Sequence, residues 1–305
     1  MSVERALERL RSRLSGYLRA NEPLGRHTTF RIGGPAAIHV ECDAVADLAW
    51  VLEVCAEEEV EWTVLGKGSN ILAADAGYDG AVIVLGRDFK RHCLEEGHLR
   101  AGAGVALAAL VQDAFGAGMT GLEFAVGIPG TLGGALVMNA GSRDEWIGSA
   151  VESVTLLEPG AGLVRLRGPE VRWGYRRTNL LGRGVIVESA LRLEPGDEWR
   201  IRATMEAALN RRKRSQPLGL PNAGSIFTNP EGKSAGQLIE SVGLKGKSVG
   251  GAQISEVHAN FIVNTGGATA KDVLTLVRLA RDTVKEHHGI ELTPEIRFLG
   301  TFGTP

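Results

Sequence analysis

Glycine density is the feature that most limits what this chain can become. Between Gly102 and Gly141, forty residues hold ten glycines, and the whole chain holds 41 in 305, near twice the usual ~7%. Glycine weakens the interiors of helices and strands, so no long uninterrupted element fits there. Such a segment suits backbone that turns with positive φ or lies close against a neighbour. The rest of the composition, 44% hydrophobic and 23% charged, is that of a folded soluble protein, and 11 prolines do not raise Gly plus Pro to a disordered or collagen-like level. The glycines therefore need local explanations.

Two glycine-rich loops stand out. Gly127-Ile128-Pro129-Gly130-Thr131-Leu132-Gly133-Gly134 leads into a helix expected through Met138, and a loop entering a helix N-terminus is a natural seat for phosphate. Leu65-Gly66-Lys67-Gly68-Ser69-Asn70 follows a strand and offers small residues, hydrogen-bonding side chains and one cation. Tight turns between packed elements explain either loop alone; the pair favours a phosphate-bearing ligand. Neither follows a common nucleotide pattern. The upstream glycine of the P-loop is missing before Gly66-Lys67, and Leu107 stands where the dinucleotide fingerprint beginning Gly102-Ala103-Gly104 needs glycine.

Elsewhere the pattern predicts short strands mixed with helices, the α+β class. Helices are expected over 44–58, from about 106 and over 198–215; residues 87–96, 151–159, 163–168 and 185–193 read as strands. Leu7, Leu10, Leu14 and Leu18 predict an amphipathic N-terminal helix over 1–20. Residues 216–224, with two prolines and two glycines, mark a hinge. In 269–289, Ala270, Val273, Leu274, Val277, Ala280 and Val284 trace one helical face, stopped by Gly289. A bent strand or strand pair is expected around Pro294. The charge balance, 34 Lys+Arg against 36 Asp+Glu, disfavours a nucleic-acid binder. No apolar run reaches membrane-span length, and no secretory signal follows Met1. Cys42, Cys55 and Cys93 have no metal or disulfide spacing and read as buried thiols in a reducing cytoplasm.

Several stretches carry a resemblance: HTTFRIGGPA (27–36), LGKGSNIL (65–72), GLEFAVGIPGTLGGALVMNAG (121–141), WGYRRTN (173–179), NAGSIFTNP (222–230), GAQISEVHANFIVN (251–264) and LTPEIRFLG (292–300). In this order the chain resembles the UDP-N-acetylenolpyruvoylglucosamine reductase family. The resemblance implies a two-subdomain FAD-binding unit of the vanillyl-alcohol-oxidase (PCMH) type over 21–197, split near 86. It also implies a smaller α+β substrate-binding domain over 198–305 whose final strand returns to the active site. FAD is noncovalent in this family, so His27 carries no covalent link; NADPH is the reductant. The substrate is UDP-N-acetylglucosamine enolpyruvate and the product UDP-N-acetylmuramate. A cytoplasmic monomer without metal, membrane or nucleic-acid partner is implied.

The resemblance assigns Thr28, Gly66, Lys67, Gly68, Ser69, Asn70, Gly127, Ile128, Pro129, Gly130, Thr131, Gly133, Gly134, Asn139, Ala140 and Gly141 to the cofactor. It assigns Tyr175, Arg176, Asn222, Ser225, Gln253, His258 and Asn260 to the substrate. Arg176 aligns with the arginine at the substrate carboxylate, a planar group that guanidinium suits. Ser225 aligns with the proton donor and Glu295 with the catalytic glutamate. Without the resemblance, these three read as a surface ion pair, a turn serine and a solvated strand glutamate beside Arg297. Lys245 and Lys247 fit either a phosphate contact or a solvated loop. Two departures stand out: Thr228 replaces a lysine frequent in the family, and 178–193 lacks the tyrosine loop of the type I enzymes, matching the shorter type II form.

Overall fold

The computed structural model describes residues 2–14, 16–142 and 144–302. The chain forms two compact units that interleave along the sequence. The first comprises the chain up to Ala20, Ile38–Gly66 and Gly80–Arg212; the second comprises Asn21–Ala37, Lys67–Asp79 and the chain from Lys213 onward. Each unit holds its own cluster of buried apolar side chains.

The first unit is built around two sheets. One has four strands in the order Leu18–Pro23, Pro35–Cys42, Tyr78–Leu85, Trp62–Val64; its last two strands are parallel, joined through the chain that enters the second unit. The other has five antiparallel strands in the order Gly162–Arg167, Val151–Glu158, Val185–Arg192, His98–Gly102, His92–Glu95. The central strand Val185–Arg192 is buried along nearly its whole length, as a strand covered on both faces must be. Helix Val45–Glu57 buries Leu48, Val51, Leu52, Val54 and Cys55. Helix Ser2–Arg13 lies on it through Ala6, Leu7 and Leu10, with Arg5 and Arg9 paired to Glu57 and Glu58.

That N-terminal helix is shorter than the leucine spacing predicts. It ends at Arg13, Gly16 interrupts the pattern, and Leu18 opens a strand; Ser15 lies outside the described residues. Residues 87–90 form a 3-10 turn burying Phe89 before the strand His92–Glu95 begins. Cys42 and Cys55 are buried, and burial pushes their thiols up to about 12 and about 11, which keeps them inert. Cys93 is exposed, against expectation, because its strand lies at the edge of the five-stranded sheet.

The second unit carries an antiparallel sheet in the order Asn222–Ser225, Phe261–Asn264, Ala252–Ile254, Ser248–Val249. Helix Ala270–His288 buries the predicted face, with Leu276 added. Thr269 and Asp272 form a capping box at its start, and Gly289 ends it at φ 66°. The chain around Pro294 bridges to Phe227, and Arg297–Leu299 then pairs in parallel with Ile71–Ala73. Phe30, Ile32 and Leu72 fill the same core. No helix among the described residues is long and apolar enough to cross a membrane.

Asp75 ties the Lys67–Asp79 segment to the long helix. Its carboxylate accepts from the backbone N–H groups of Ala270 (2.7 Å) and Lys271 (3.0 Å), two donors left unpaired by helix geometry. Asp75→Ala should lower stability by about 1–2 kcal/mol in denaturant titration of the full chain, with Asp75→Asn recovering part of the loss through its remaining oxygen.

Candidate functional site

In the first unit the two glycine-rich loops meet. A Cβ at Gly66 would lie 2.6 Å from the Thr131 hydroxyl oxygen, so only glycine permits the approach. The 103–107 and 130–133 segments are zipped by backbone bonds: Leu107 N–H to the Gly130 carbonyl, Leu132 N–H to Val105, and Gly133 N–H to Ala103. The expected helix is six residues, Leu132–Val137, and Thr131 caps it by accepting from Gly134 N–H at 3.4 Å. Among the described residues, the N–H groups of Gly66, Gly127 and Gly130 donate to no protein acceptor. Backbone donors do not stay unsatisfied, so these three are available to a ligand or to water.

Arg176 stands beside this bed. Trp173–Gly174 pairs with Arg177–Thr178, leaving Tyr175-Arg176 as a two-residue turn. Arg176 has φ 58°, a conformation that costs a side-chain-bearing residue about 1–2 kcal/mol. Strain of this kind persists where the surroundings impose it and is common at functional sites. Arg176 donates from Nη1 to the Gly141 carbonyl (2.8 Å), and its guanidinium lies 5.2 Å from the Tyr175 ring centre. The hairpin is held by Thr178, which donates to the Val137 carbonyl (3.0 Å). Asn139 holds it too, donating to Gly174 (3.0 Å) and accepting from Gly148 N–H (3.2 Å). The buried amide of Asn139, expected at the cofactor, thus positions the arginine turn.

The second unit assembles Ser225 and Glu295. Gly224, at φ 77°, sits in the register shift between Asn222 and Ser225, a bulge that re-aims the next side chain. Asn222 builds the bulge: it donates to Pro217 (3.2 Å) and Leu220 (2.8 Å) and accepts from Gly224 N–H (2.9 Å). Thr29 donates to the Asn222 carbonyl at 2.7 Å. One residue past Ser225, the Ile226 carbonyl accepts from Glu295 N–H at 2.7 Å. Asn70 Nδ2 donates to the Glu295 carbonyl (3.1 Å), and the Asn70 carbonyl accepts from Arg297 N–H (2.9 Å). Ser225 and Glu295 are both half-buried.

Other expected ligands are engaged in the fold. Asn260, buried, accepts from Phe227 N–H (2.9 Å) and donates to the Phe227 carbonyl (2.8 Å). Thr28, also buried, donates to the Ile32 carbonyl (3.1 Å). Gln253 donates to Gly246 (3.2 Å). His258 accepts at Nδ1 from Asn260 N–H (3.1 Å), and burial, with Lys245 nearby, pulls it below the usual histidine range. Lys245 pairs with Glu240 (2.8 Å). Lys67 is exposed. Among the described residues no cluster of His, Cys, Asp or Glu could hold a metal ion.

Arg212 was hidden inside the basic run 211–214. It continues the inward stripe of Ile201, Met205 and Ala208 on helix Glu198–Ser215; that four-three-four spacing is the signal that identifies it. Burial, with the like charges of Arg211 and Arg176, pushes its guanidinium below the usual arginine range.

Residues 36–166 match the family described as FAD binding domain, and residues 216–299 the one described as UDP-N-acetylenolpyruvoylglucosamine reductase, C-terminal domain. The UDP-N-acetylenolpyruvoylglucosamine reductase of Heliobacterium modesticaldum is 46% identical over 290 residues, 94% of this chain and 92% of that protein. This chain belongs to the UDP-N-acetylenolpyruvoylglucosamine reductase family. The Bacillus subtilis reductase is 39% identical, over 98% of this chain and 99% of its own. The crystal structure of the Thermus caldophilus reductase superposes with a TM-score of 0.81 at 37% identity, covering 93% of this chain and 98% of that one. The expected α+β class with an FAD-binding unit stands. The open N–H groups of Gly66, Gly127 and Gly130 suit the pyrophosphate and polar ring edge of FAD.

Arg176→Gly and Arg176→Ala both remove the guanidinium, so their difference isolates the turn. The glycine variant should be more stable than the alanine variant by about 1 kcal/mol in thermal or denaturant unfolding, while both lose turnover.

Proposed function

We propose that this protein reduces the enolpyruvyl group of UDP-N-acetylglucosamine enolpyruvate to UDP-N-acetylmuramate, with noncovalent FAD and with NADPH as reductant. The reaction belongs to peptidoglycan precursor synthesis, carried out by a cytoplasmic monomer with no nucleic-acid, membrane or metal partner. The observation that supports it most is the joint placement of Ser225 and Glu295, fixed across the 2.7 Å Glu295–Ile226 backbone bond in a chain of this family.

FAD, when bound, supplies the hydride chemistry. The protein's part is orientation, charge and a proton. The open N–H groups of Gly66, Gly127 and Gly130 hold the cofactor, with Lys67, Ser69 and Asn70 of the first loop. Arg176 grips the substrate carboxylate through its planar donor pair. Its charge favours the enolate that develops as the double bond is reduced. Ser225 hands a proton to the neighbouring carbon. A hydroxyl is a weak acid, so this transfer depends on the rigid seat that the Asn222 turn and the Gly224 bulge provide. Glu295, in its neutral acid form, donates a hydrogen bond to the same carboxylate. Tyr175, Asn222, Gln253, His258 and Asn260 shape the substrate side, several of them through the backbone they hold.

The test follows NADPH oxidation by the flavin-loaded protein with and without UDP-N-acetylglucosamine enolpyruvate. Substrate-dependent turnover is expected; its absence overturns the reading. Ser225→Ala should leave flavin reduction by NADPH near normal and slow reoxidation by substrate about 10²-fold or more. Equal loss in both half-reactions contradicts the proton-donor role.

A further inference from the structure

The strand Asn222–Ser225 is the outermost of its sheet, and its bulge falls between Asn222 and Ser225. A bulged edge strand has a ladder on one side and none on the other. Just ahead of it, the Pro221 carbonyl points inward and accepts from Asn264 N–H at 2.9 Å. Successive carbonyls of a strand face opposite ways, so the Asn222 carbonyl faces off the edge. Thr29 meets it there, donating from its hydroxyl at 2.7 Å. The same residue reaches the first glycine loop. Its backbone N–H donates to the Gly68 carbonyl at 3.3 Å, and its hydroxyl oxygen lies 3.4 Å from that carbonyl. A hydroxyl carries one proton, and the bond to Asn222 has the ordinary O–H···O length, so the hydroxyl serves Asn222.

Thr29 itself has little freedom. Thr28 closes the turn around it, donating from its hydroxyl to the Ile32 carbonyl (3.1 Å) and accepting at its carbonyl from Arg31 N–H (3.1 Å). Phe30 is fully buried, and Asn264 Nδ2 donates to its carbonyl (3.1 Å). On the loop side, a Cβ at Gly68 would lie 2.3 Å from the His27 carbonyl oxygen and 2.7 Å from Thr28 Cα. Loop and segment are therefore in backbone contact. All of these residues belong to the second unit.

We propose that the Thr29 hydroxyl is a positioning group for the proton transfer: it fastens the bulge that presents Ser225 to the segment packed on the first glycine loop. The inference rests on the function proposed above, in which Ser225 gives the proton and that loop holds FAD. Downstream of Ser225 the chain is already pinned. The Asn260 carbonyl accepts from Ile226 N–H (2.8 Å), and the Asn260 amide brackets Phe227. Upstream, the side chain of Asn222 bonds to Pro217, Leu220 and Gly224. Those partners lie in the same stretch of chain, so they shape the bulge without tying it to the loop. Thr29 supplies that tie. Without it the bulge pivots on its single ladder, and a small displacement of a reacting group lowers its rate steeply. In this account Thr29 touches no reacting atom and passes no proton. Reduction of the flavin by NADPH does not use Ser225, so that step is independent of the bulge.

The test compares wild type with Thr29→Val, which keeps the shape and removes the hydroxyl, and Thr29→Ser, which keeps the hydroxyl. Ser225→Ala and the double variant of Thr29→Val with Ser225→Ala complete a cycle. Each is loaded with FAD, thermal unfolding is compared, and two half-reactions are followed by flavin absorbance. These are reduction by NADPH and reoxidation by UDP-N-acetylglucosamine enolpyruvate. Thr29→Val should slow reoxidation at saturating substrate about tenfold or more and leave reduction within about threefold of wild type. Thr29→Ser should recover most of the rate. In the Ser225→Ala background, Thr29→Val should add almost nothing, because a group that acts by placing Ser225 has nothing left to place. Additive losses, equal slowing of both half-reactions, or wild-type reoxidation in Thr29→Val each overturn the proposal. If Thr29→Val does not fold, Thr29→Ser and Thr29→Ala isolate the same hydroxyl, and equal reoxidation in that pair overturns it. Failure of this substrate to reoxidise wild type, or undiminished reoxidation in Ser225→Ala, would instead overturn the function proposed above, a signature that failure of Thr29 alone does not give.

Discussion

A side chain at position 66 would place its Cβ 2.6 Å from the Thr131 hydroxyl, and the first unit is organised around the absence of that atom. Without it, the start of the first loop lies against the middle of the second, which the backbone zipper between residues 103–107 and 130–133 fixes in place. The N–H groups of Gly66, Gly127 and Gly130 then remain directed away from protein acceptors. The same segment continues to Gly141, whose carbonyl holds Arg176. The second glycine loop and the carbonyl that holds Arg176 therefore share one continuous stretch of backbone.

The second unit uses side-chain amides for the same end. Asn222, Asn260 and Asn70 each bond to backbone and fix, respectively, the Gly224 bulge, Phe227, and the chain on either side of Glu295. Their effect is to leave Ser225 and Glu295 little freedom, the kind of orientation that the proposed proton transfer requires. Arg176 shows the cost of such positioning, since its left-handed backbone is unfavourable for any residue except glycine.

Much of the local structure was legible in the sequence. The helix face from Ala270 to Val284, its Thr269 start and its Gly289 stop follow from spacing and cap chemistry. The density of glycine in 102–141 announced close backbone approach. Interleaving was not legible, because it depends on contacts between distant segments: Asp75 on the helix at Ala270, or Arg297–Leu299 beside Ile71–Ala73. Periodicity reports burial within an element and says nothing of such partners. Arg176, Ser225 and Glu295 each look ordinary in isolation, and only their order along the chain, in register with a family, distinguished them. Arg212 and the amide clamps escaped for opposite reasons. Arg212 was masked by adjacent charges, and nothing in the sequence around Asn260, expected at the substrate, signals that its amide holds backbone 33 residues away.

In the proposed function the open backbone donors of the glycine bed receive FAD. Amide hydrogen exchange at Gly66, Gly127 and Gly130, followed by NMR in the flavin-free and FAD-loaded protein, reports on that contact atom by atom. These amides should exchange fast without the cofactor and slow by about tenfold or more when it is bound, at a level of global stability matched by adjusting denaturant. Unchanged exchange at all three, in protein shown by absorbance to carry FAD, would contradict it.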